Sequence, residues 1–150
     1  MTRTVTVAEL PGLAGQDLGY SPYRTVDQKR IDGFAESTDD RQWIHVDPVA
    51  AAAGPFGTTI AHGYLTLSLV IPLWGDLLDV RDATTKVNYG LDKVRFPAPV
   101  PVDARIRLHA RVAEATGIAG GVQLVLDVTI HADGVDKPVC VARPVFRYYR

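Results

Sequence analysis

An acid and an imidazole stand five positions apart, at Asp40 and His45, in a polar segment between two predicted helices. If that segment were helical, five residues would turn through about 500° and leave the two side chains about 140° apart. The pair can converge on one small group only where the chain turns, and the preceding Ser37, Thr38 and Asp39 favour a turn through side-chain bonds to nearby backbone. A carboxylate and an imidazole held together suit general acid–base catalysis on a water or a carbon acid. The same residues also fit a helix cap at Asp40 and a core histidine at His45, and the segment alone does not separate these two interpretations.

The composition excludes several classes of function. The chain has 150 residues, 16 basic against 17 acidic, and a formal net charge of −1. That length predicts one domain over residues 1–150, and the even charge argues against bulk electrostatic binding to nucleic acid or to a membrane surface. The single cysteine, Cys140, excludes an internal disulfide and a cysteine-based zinc cluster, and its apolar neighbours predict a buried, inert thiol.

Targeting segments are not evident in the sequence. The first residues lack the apolar core of a secretory signal. The most apolar window, residues 64–78, contains Pro72, Gly75 and Asp76 and is too short to span a bilayer. We therefore expect a cytoplasmic protein.

Three helices are predicted in the first half of the chain. Apolar residues at helical spacing and a capping side chain predict a helix over residues 27–37, and Asp47-Pro48 predicts a short one over 48–53. The run from Gly63 to residue 78 is apolar nearly all round, which predicts a buried central helix with a kink at Pro72.

The second half of the chain has the pattern of long strands. The predicted strands cover residues 84–96, 104–116, 122–132 and 139–149, and Leu18 to Val26 forms another in the first half. The dipeptides Gly120-Gly121 and Asp133-Gly134 indicate hairpins, and Gly90 indicates a bulge. These patterns predict an α+β protein in which a large, curved antiparallel sheet covers the central helix.

Four sequence features together resemble a known family. They are Asp40 and His45 followed by Asp47-Pro48, the segment Ile60-Ala61-His62-Gly63, the strand Asn88–Phe96, and Pro97–Val102. In this combination and order the chain resembles a MaoC-like dehydratase of the hydratase 2, or (R)-specific enoyl-CoA hydratase, type. The resemblance implies a hot-dog fold: a sheet of five to six strands around the helix at 63–78, with overhanging helices near 27–37 and 48–53. One departure concerns the turn, where Gln42-Trp43 stands in place of the usual Asn-Pro, so packing of the indole must hold the turn instead.

The resemblance also implies a reaction and a set of site residues. The family adds water reversibly, in a syn sense, to a trans-2-enoyl thioester, with Asp40 and His45 as catalytic residues. The backbone N–H of Gly63, at the start of the central helix, would polarise the thioester carbonyl. Ser68 matches a family position near the site, and Tyr89 and Gly90 are candidates to line the acyl tunnel.

The implied partners are small molecules and a second copy of the chain. The substrate would be an acyl-CoA or an acyl-carrier-protein thioester, so that coenzyme A enters as part of the substrate and no separate cofactor or metal is required. The unpaired edge of a sheet predicts a homodimer.

Two other functions stay open from the sequence. A hot-dog thioesterase would carry an acid on the central helix, and here residues 63–75 have none. A non-catalytic acyl-binding subunit is the alternative from another class, and the intact pair of Asp40 and His45 argues against it.

Overall fold

A computed structural model describes residues 1–150. The strands are β1 (Arg3–Val5), β2 (Asp17–Tyr20), β3 (Arg24–Thr25), β4 (Leu78–Val80), β5 (Thr85–Arg95), β6 (Arg105–Ile118), β7 (Gly121–Ala132) and β8 (Cys140–Tyr149). The helices are a 3-10 helix (Val7–Leu13), α1 (Gln28–Thr38), α2 (Trp43–Val46), α3 (Pro48–Ala52), α4 (Gly63–Ser68) and α5 (Val70–Gly75). The four long strands begin and end within two residues of the predicted positions.

One antiparallel sheet of six strands dominates the molecule. Its order is β2-β6-β7-β8-β5, with β3 also paired to β6 beside β2. A second, parallel pair joins β1 to β4. The predicted bulge is present, because the register between β5 and β8 shifts between Asn88 and Gly90. Gly120 and Gly134, in the two predicted hairpin turns, have positive φ values of 78° and 75°.

The core lies between the sheet and the helix pair α4–α5. From Ile106 to Val112 in β6, and along β7, every second residue is buried on the face toward the helices, which is the period of a strand with one covered face. From the helices Leu65, Leu73 and Trp74 fill the space against that face. A curved sheet wrapped around a central helix is the arrangement expected of the hot-dog fold, and that prediction is confirmed.

The central helix differs from the prediction in its length and its break. It ends at Gly75 rather than at residue 78, since Leu78 already begins β4 and pairs with Arg3. The break falls at Leu69, one turn before Pro72. Proline lacks the N–H that would bond the carbonyl four residues earlier, and its ring crowds that carbonyl, so the ladder opens one turn before the proline itself.

The N-terminal segment has no clear periodic pattern in its sequence, and in the structure it is part of the core. The 3-10 helix buries Val7, Leu10 and Leu13 against the sheet. The predicted strand from Leu18 to Val26 is split, because Pro22 has no N–H for the ladder.

The structure shows that Asp27, rather than Thr25, caps α1 and that Asp47 caps α3. The Asp27 side chain accepts from the N–H of Arg30 at the start of α1. The Asp47 side chain accepts from the N–H of Ala50 at the start of α3, with Pro48 in the first turn. The Asp27 cap fixes where α1 begins, and the Asp47 cap fixes where the segment between α1 and α3 ends.

The sheet leaves its last strand uncovered. No residue of β5 is fully buried, and β5 pairs with β8 along one edge only. Beside it, the central helix, which the sequence predicts to be buried on most faces, exposes Tyr64 and Ile71. No helix in the structure is long and apolar enough to cross a membrane.

Candidate active site

The two adjacent acids at the end of α1 take different directions. Asp39 adopts a left-handed backbone with φ of 60° and ends the helix. Its carboxylate pairs with Arg41 at 2.6 Å, and Arg41 also reaches Glu36 at 3.0 Å. Asp40 is left to approach the two histidines His45 and His62. The turn therefore separates an acid engaged in a surface ion pair from an acid available to the site.

His45, on the short helix α2, is held by two hydrogen bonds. The side chain is 6% exposed, and its Nδ1 lies 2.7 Å from the carbonyl oxygen of Ile60. Because a carbonyl can only accept, Nδ1 carries the proton, and in the neutral ring Nε2 keeps a lone pair. The backbone carbonyl of His45 accepts from the Gln28 amide at 2.8 Å. His45 therefore presents a basic nitrogen from a fixed position.

The amide of Gln28 is itself oriented by a buried hydroxyl. Thr59, 1% exposed, donates to the Gln28 carbonyl oxygen at 2.6 Å. Gln28 thus links α1 to the backbone of α2 on one side and to the segment before α4 on the other. Neither residue has a sequence signal that would have predicted this link, because it joins three segments distant along the chain.

His62 lies against both members of the pair. Its Nε2 is 2.9 Å from the backbone oxygen of Asp40, and its ring stacks on that of His45 with centroids 3.8 Å apart and planes at 23°. Phe34 of α1 packs on it with centroids 4.8 Å apart. No signal in the sequence predicts that these two histidines meet, and only the position of His62 next to Gly63 indicates that it lies near the site.

One ligand atom from each of Asp40, His45 and His62 lies within 4.8 Å of the other two. Two histidines and a carboxylate are a donor set that metals accept. One nitrogen of each ring is already engaged by a backbone oxygen, Nδ1 of His45 at Ile60 and Nε2 of His62 at Asp40. The other nitrogen of each ring and the Asp40 carboxylate are the groups available to a bound molecule or ion.

Burial controls the protonation of His45. The loss of solvent lowers the pKa of His45 below its ordinary value of 6.5. The hydrogen bond to Ile60 and the charge of Asp40 oppose this effect, while His62 adds to it. The imidazole is therefore neutral near pH 7, with its basic nitrogen free.

A cavity of about 370 Å³ lies beside the pair, and His45, Gly63 and Phe96 contribute to its lining. A neighbouring, more open cavity of about 270 Å³ is lined by six residues: Asp40, His45, His62, Gly63, Tyr64 and Phe96. Gly63 is the first residue of α4, where backbone N–H groups have no acceptor within the helix. A Cβ on Gly63 would meet the Phe96 ring at 3.1 Å, so the absence of a side chain keeps this wall of the cavity open.

Trp43, which replaces the proline expected in the turn, packs against a glycine. A Cβ on Gly54 would lie 2.7 Å from the indole, and the indole remains 43% exposed. The ring therefore lies close over the end of α3. This contact agrees with the expectation that packing of the indole, rather than a fixed φ, holds the turn.

The other predicted site residues lie apart from the pair within one chain. The Ser68 hydroxyl donates to the carbonyl of Tyr64 at 2.7 Å and borders a separate cavity of about 100 Å³. The Tyr89 ring is 57% exposed and has the guanidinium of Arg147 over it at 3.4 Å. Gly90 forms the bulge of β5 and has open space where a side chain would stand. A role for these three residues in substrate binding stays a prediction.

Comparison with known sequences gives consistent matches over most of the chain. The family described as "MaoC like domain" matches residues 9–132. The 3-hydroxyacyl-thioester dehydratase Z of Mycobacterium tuberculosis is 46% identical over 144 residues, which are 95% of each chain. The nodulation protein N of Rhizobium leguminosarum bv. viciae is 42% identical over 142 residues, or 92% of this chain and 88% of that protein.

Comparison with solved structures agrees on the fold. The unliganded R-hydratase PhaJ1 from Pseudomonas aeruginosa superimposes with a TM-score of 0.77 over 97% of this chain and 86% of that one. The two sequences are only 20% identical, so this likeness concerns the architecture alone.

Proposed function

The chain belongs to the MaoC-like dehydratase family, and we propose that it is a hydro-lyase that adds water reversibly to trans-2-enoyl thioesters. The observation that carries the proposal is the meeting of Asp40 and His45 beside the cavity that Gly63 also lines. The product is a 3-hydroxyacyl thioester, and the sense of addition is that of an (R)-specific hydratase. The acyl group would arrive on coenzyme A or on a carrier protein, and the reaction requires no further cofactor or metal.

The distances in the site support a water held jointly by the acid and the histidine. Two hydrogen bonds of about 2.8 Å that meet at a tetrahedral angle join atoms about 4.6 Å apart. The ligand atoms of Asp40 and His45 lie within 4.8 Å of one another. One water can therefore bond to both groups, as its oxygen attacks the β-carbon while the α-carbon receives a proton on the same face. We assign the two proton transfers to the pair as a unit.

The backbone N–H of Gly63 supplies the third element that the reaction needs. Negative charge develops on the thioester oxygen as the β-carbon is attacked, and a fixed N–H donor stabilises it. One such donor contributes about 3 kcal/mol in comparable sites. Gly63 is the first helical residue and lines the same cavity as His45.

Hydrolysis of the thioester is the less favoured activity. The helical residues from Gly63 to Gly75 include no acid that could activate water against the thioester carbon. The acid just beyond them, Asp76, accepts two hydrogen bonds from the guanidinium of Arg24, at 2.9 and 2.8 Å. An acid engaged in this way is a structural contact between α5 and β3.

We also propose that the protein is a homodimer. Strand β5 has one unpaired edge and no buried face, and its large apolar residues Val87, Tyr89 and Leu91 are between 37% and 57% exposed. On the adjacent helix Tyr64 and Ile71 are 72% and 47% exposed. Apolar side chains beside an open strand edge favour pairing with an identical edge, because burial removes their surface from water and the strand satisfies its backbone groups.

The decisive experiment follows the conjugated double bond of crotonyl-CoA and of longer enoyl-CoA thioesters by its ultraviolet absorbance. We expect the purified protein to bleach this absorbance without releasing a free thiol. Release of free thiol at the rate at which the absorbance falls would favour hydrolysis of the thioester. No change in either signal would favour a non-catalytic acyl-binding protein.

A further inference from the structure

His62 is the one side chain that contacts both Asp40 and His45 without an assigned role in the chemistry. It is 2% exposed, bonds the backbone of Asp40 at 2.9 Å and stacks on the ring of His45 at 3.8 Å between centroids. We propose that His62 is a positioning residue, which holds the acid and the basic nitrogen in register for the hydration reaction. This inference rests on the function proposed above and adds a residue to it.

The hydrogen-bonding pattern assigns the tautomer of His62. The backbone oxygen of Asp40 can only accept, so Nε2 of His62 carries the donated proton. The other nitrogen, Nδ1, is buried and has no hydrogen-bond partner. A buried polar atom without a partner is costly, about 1–3 kcal/mol when measured by mutation. A phenylalanine would keep the ring without this cost, so packing alone does not account for a histidine at this position.

The contact to Asp40 acts on the main chain and not on the carboxylate. Asp40 is exposed and follows the left-handed residue Asp39, where the backbone leaves α1. A donor on its carbonyl fixes the peptide plane from which the carboxylate projects. Without that donor, the loop would be held on this side only by the ion pairs of Arg41, which are exposed to solvent.

The contact to His45 acts on the face of the ring. The bond from Nδ1 to Ile60 fixes one point of the imidazole but permits rotation about that bond. The stacked ring of His62 restricts this rotation, and Phe34 supports His62 from α1. Asp40 and His62 are the two charged or titratable groups that act on the pKa of His45, which His62 lowers and Asp40 raises.

The kinetic test distinguishes the contribution of the N–H donor of His62 from that of its aromatic ring. His62→Phe keeps an aromatic ring but loses the donor, whereas His62→Gln keeps an N–H donor but loses the stacked ring. We expect kcat for crotonyl-CoA hydration to fall about 100-fold in His62→Phe, the loss that a misplacement near 1 Å produces. We expect kcat to fall about 10-fold in His62→Gln, and KM to stay within about threefold of wild type in both variants.

The pH dependence of kcat/KM provides a second test, because a purely structural role of His62 would leave it unchanged. In His62→Gln the acid limb of kcat/KM should shift to higher pH, because removal of His62 relieves one cause of the lowered pKa of His45. His131→Gln is the matched control, since His131 lies on β7 on the sheet face away from the helices. A His62→Phe variant within about threefold of wild type in kcat, or an equal loss in His131→Gln, would overturn the proposal.

A second measurement keeps His62 in place, so it still tests the inference if the His62 variants do not fold. The chain has four histidines, and His109→Gln and His131→Gln identify the two signals from the outer face of the sheet. Nitrogen-15 NMR of the imidazoles should then show the remaining two in opposite tautomers, Nδ1–H for His45 and Nε2–H for His62. Identical tautomers would overturn the inference. This result does not depend on activity, so a wild type that is inactive toward enoyl thioesters would reject the proposed function alone.

Discussion

His45 donates from Nδ1 to the backbone oxygen of Ile60 at 2.7 Å, and the N–H of Ile60 in turn donates to the carbonyl of Ile44 at 3.0 Å. The segment that carries the histidine and the segment that leads into the central helix are therefore joined by two hydrogen bonds in opposite directions. Gly63 follows Ile60 by three residues, so these bonds connect the basic nitrogen of His45 to the segment that carries the proposed backbone donor.

Replacing either member of the pair should remove most of the activity. We expect Asp40→Asn and His45→Gln each to lower kcat for crotonyl-CoA hydration by at least about 100-fold, the scale of general acid–base catalysis. Asp39→Asn is the matched control, because Asp39 pairs with Arg41 and asparagine tolerates its left-handed backbone. Near-normal turnover in Asp40→Asn, or an equal loss in Asp39→Asn, would show that Asp40 is not the catalytic acid.

The link between Thr59 and Gln28 should contribute to stability. Thr59→Val removes the hydroxyl that donates at 2.6 Å to the carbonyl oxygen of Gln28, which is half-buried. We expect the free energy of unfolding to fall by about 1 kcal/mol, the net contribution of a typical hydrogen bond. Urea unfolding measures the change. Thr38→Val, at the exposed end of α1, should change it by less than about 0.5 kcal/mol.

Local signals in the sequence predicted most of the fold. Asp47-Pro48 specified a helix start and Gly90 a bulge, because each depends on the backbone preferences of one or two residues. Pro72 indicated a break in the central helix, although the break itself falls at Leu69. The site was only half predictable for the same reason. Asp40 and His45 are five residues apart, whereas the stack of His62 on His45 arises only when distant segments pack together.

Gly63→Ala should narrow the cavity beside the pair. The added methyl group would lie 3.1 Å from the Phe96 ring, which must move by a few tenths of an ångström. Phe96 is 39% exposed and has room to shift, so we expect a cost of about 1 kcal/mol in the free energy of unfolding and a rise in KM for enoyl-CoA. The double variant Gly63→Ala/Phe96→Leu tests the cause. If the smaller side chain at 96 does not restore KM, the contact between these two residues is not the reason.

Acid should destabilise the protein through His45, which is buried, and His131, which is half-buried. Burial lowers the pKa of His45 and of His131 below 6.5, their ordinary value and the one expected in the unfolded chain. Below that pH the unfolded chain binds protons that the folded one resists, so the free energy of unfolding falls as pH drops from about 7 to about 5. Urea titrations across this range should show the loss, and both His45→Gln and His131→Gln should reduce it. A flat profile in wild type would contradict the lowered pKa values.

The open edge of β5 should make the protein dimeric in solution. Light scattering at micromolar concentration should give twice the chain mass of 16.3 kDa. Leu91 on β5 is 41% exposed beside Ile71 of the central helix, and both line the same small cavity. We expect Leu91→Arg to shift the equilibrium toward monomer, since a charge buried in a pairing interface has to be removed from water without a partner.

The matched control places the same charge on another exposed apolar residue. Val49 on α3 is 84% exposed and lies outside the sheet, so Val49→Arg should leave the dimer intact. A monomeric wild type would refute the pairing directly. A dimer that survives Leu91→Arg but dissociates in Val49→Arg would indicate that the interface is formed by the helices around the site and not by the strand edge. Trp43 and Phe56 in that region are 43% and 46% exposed.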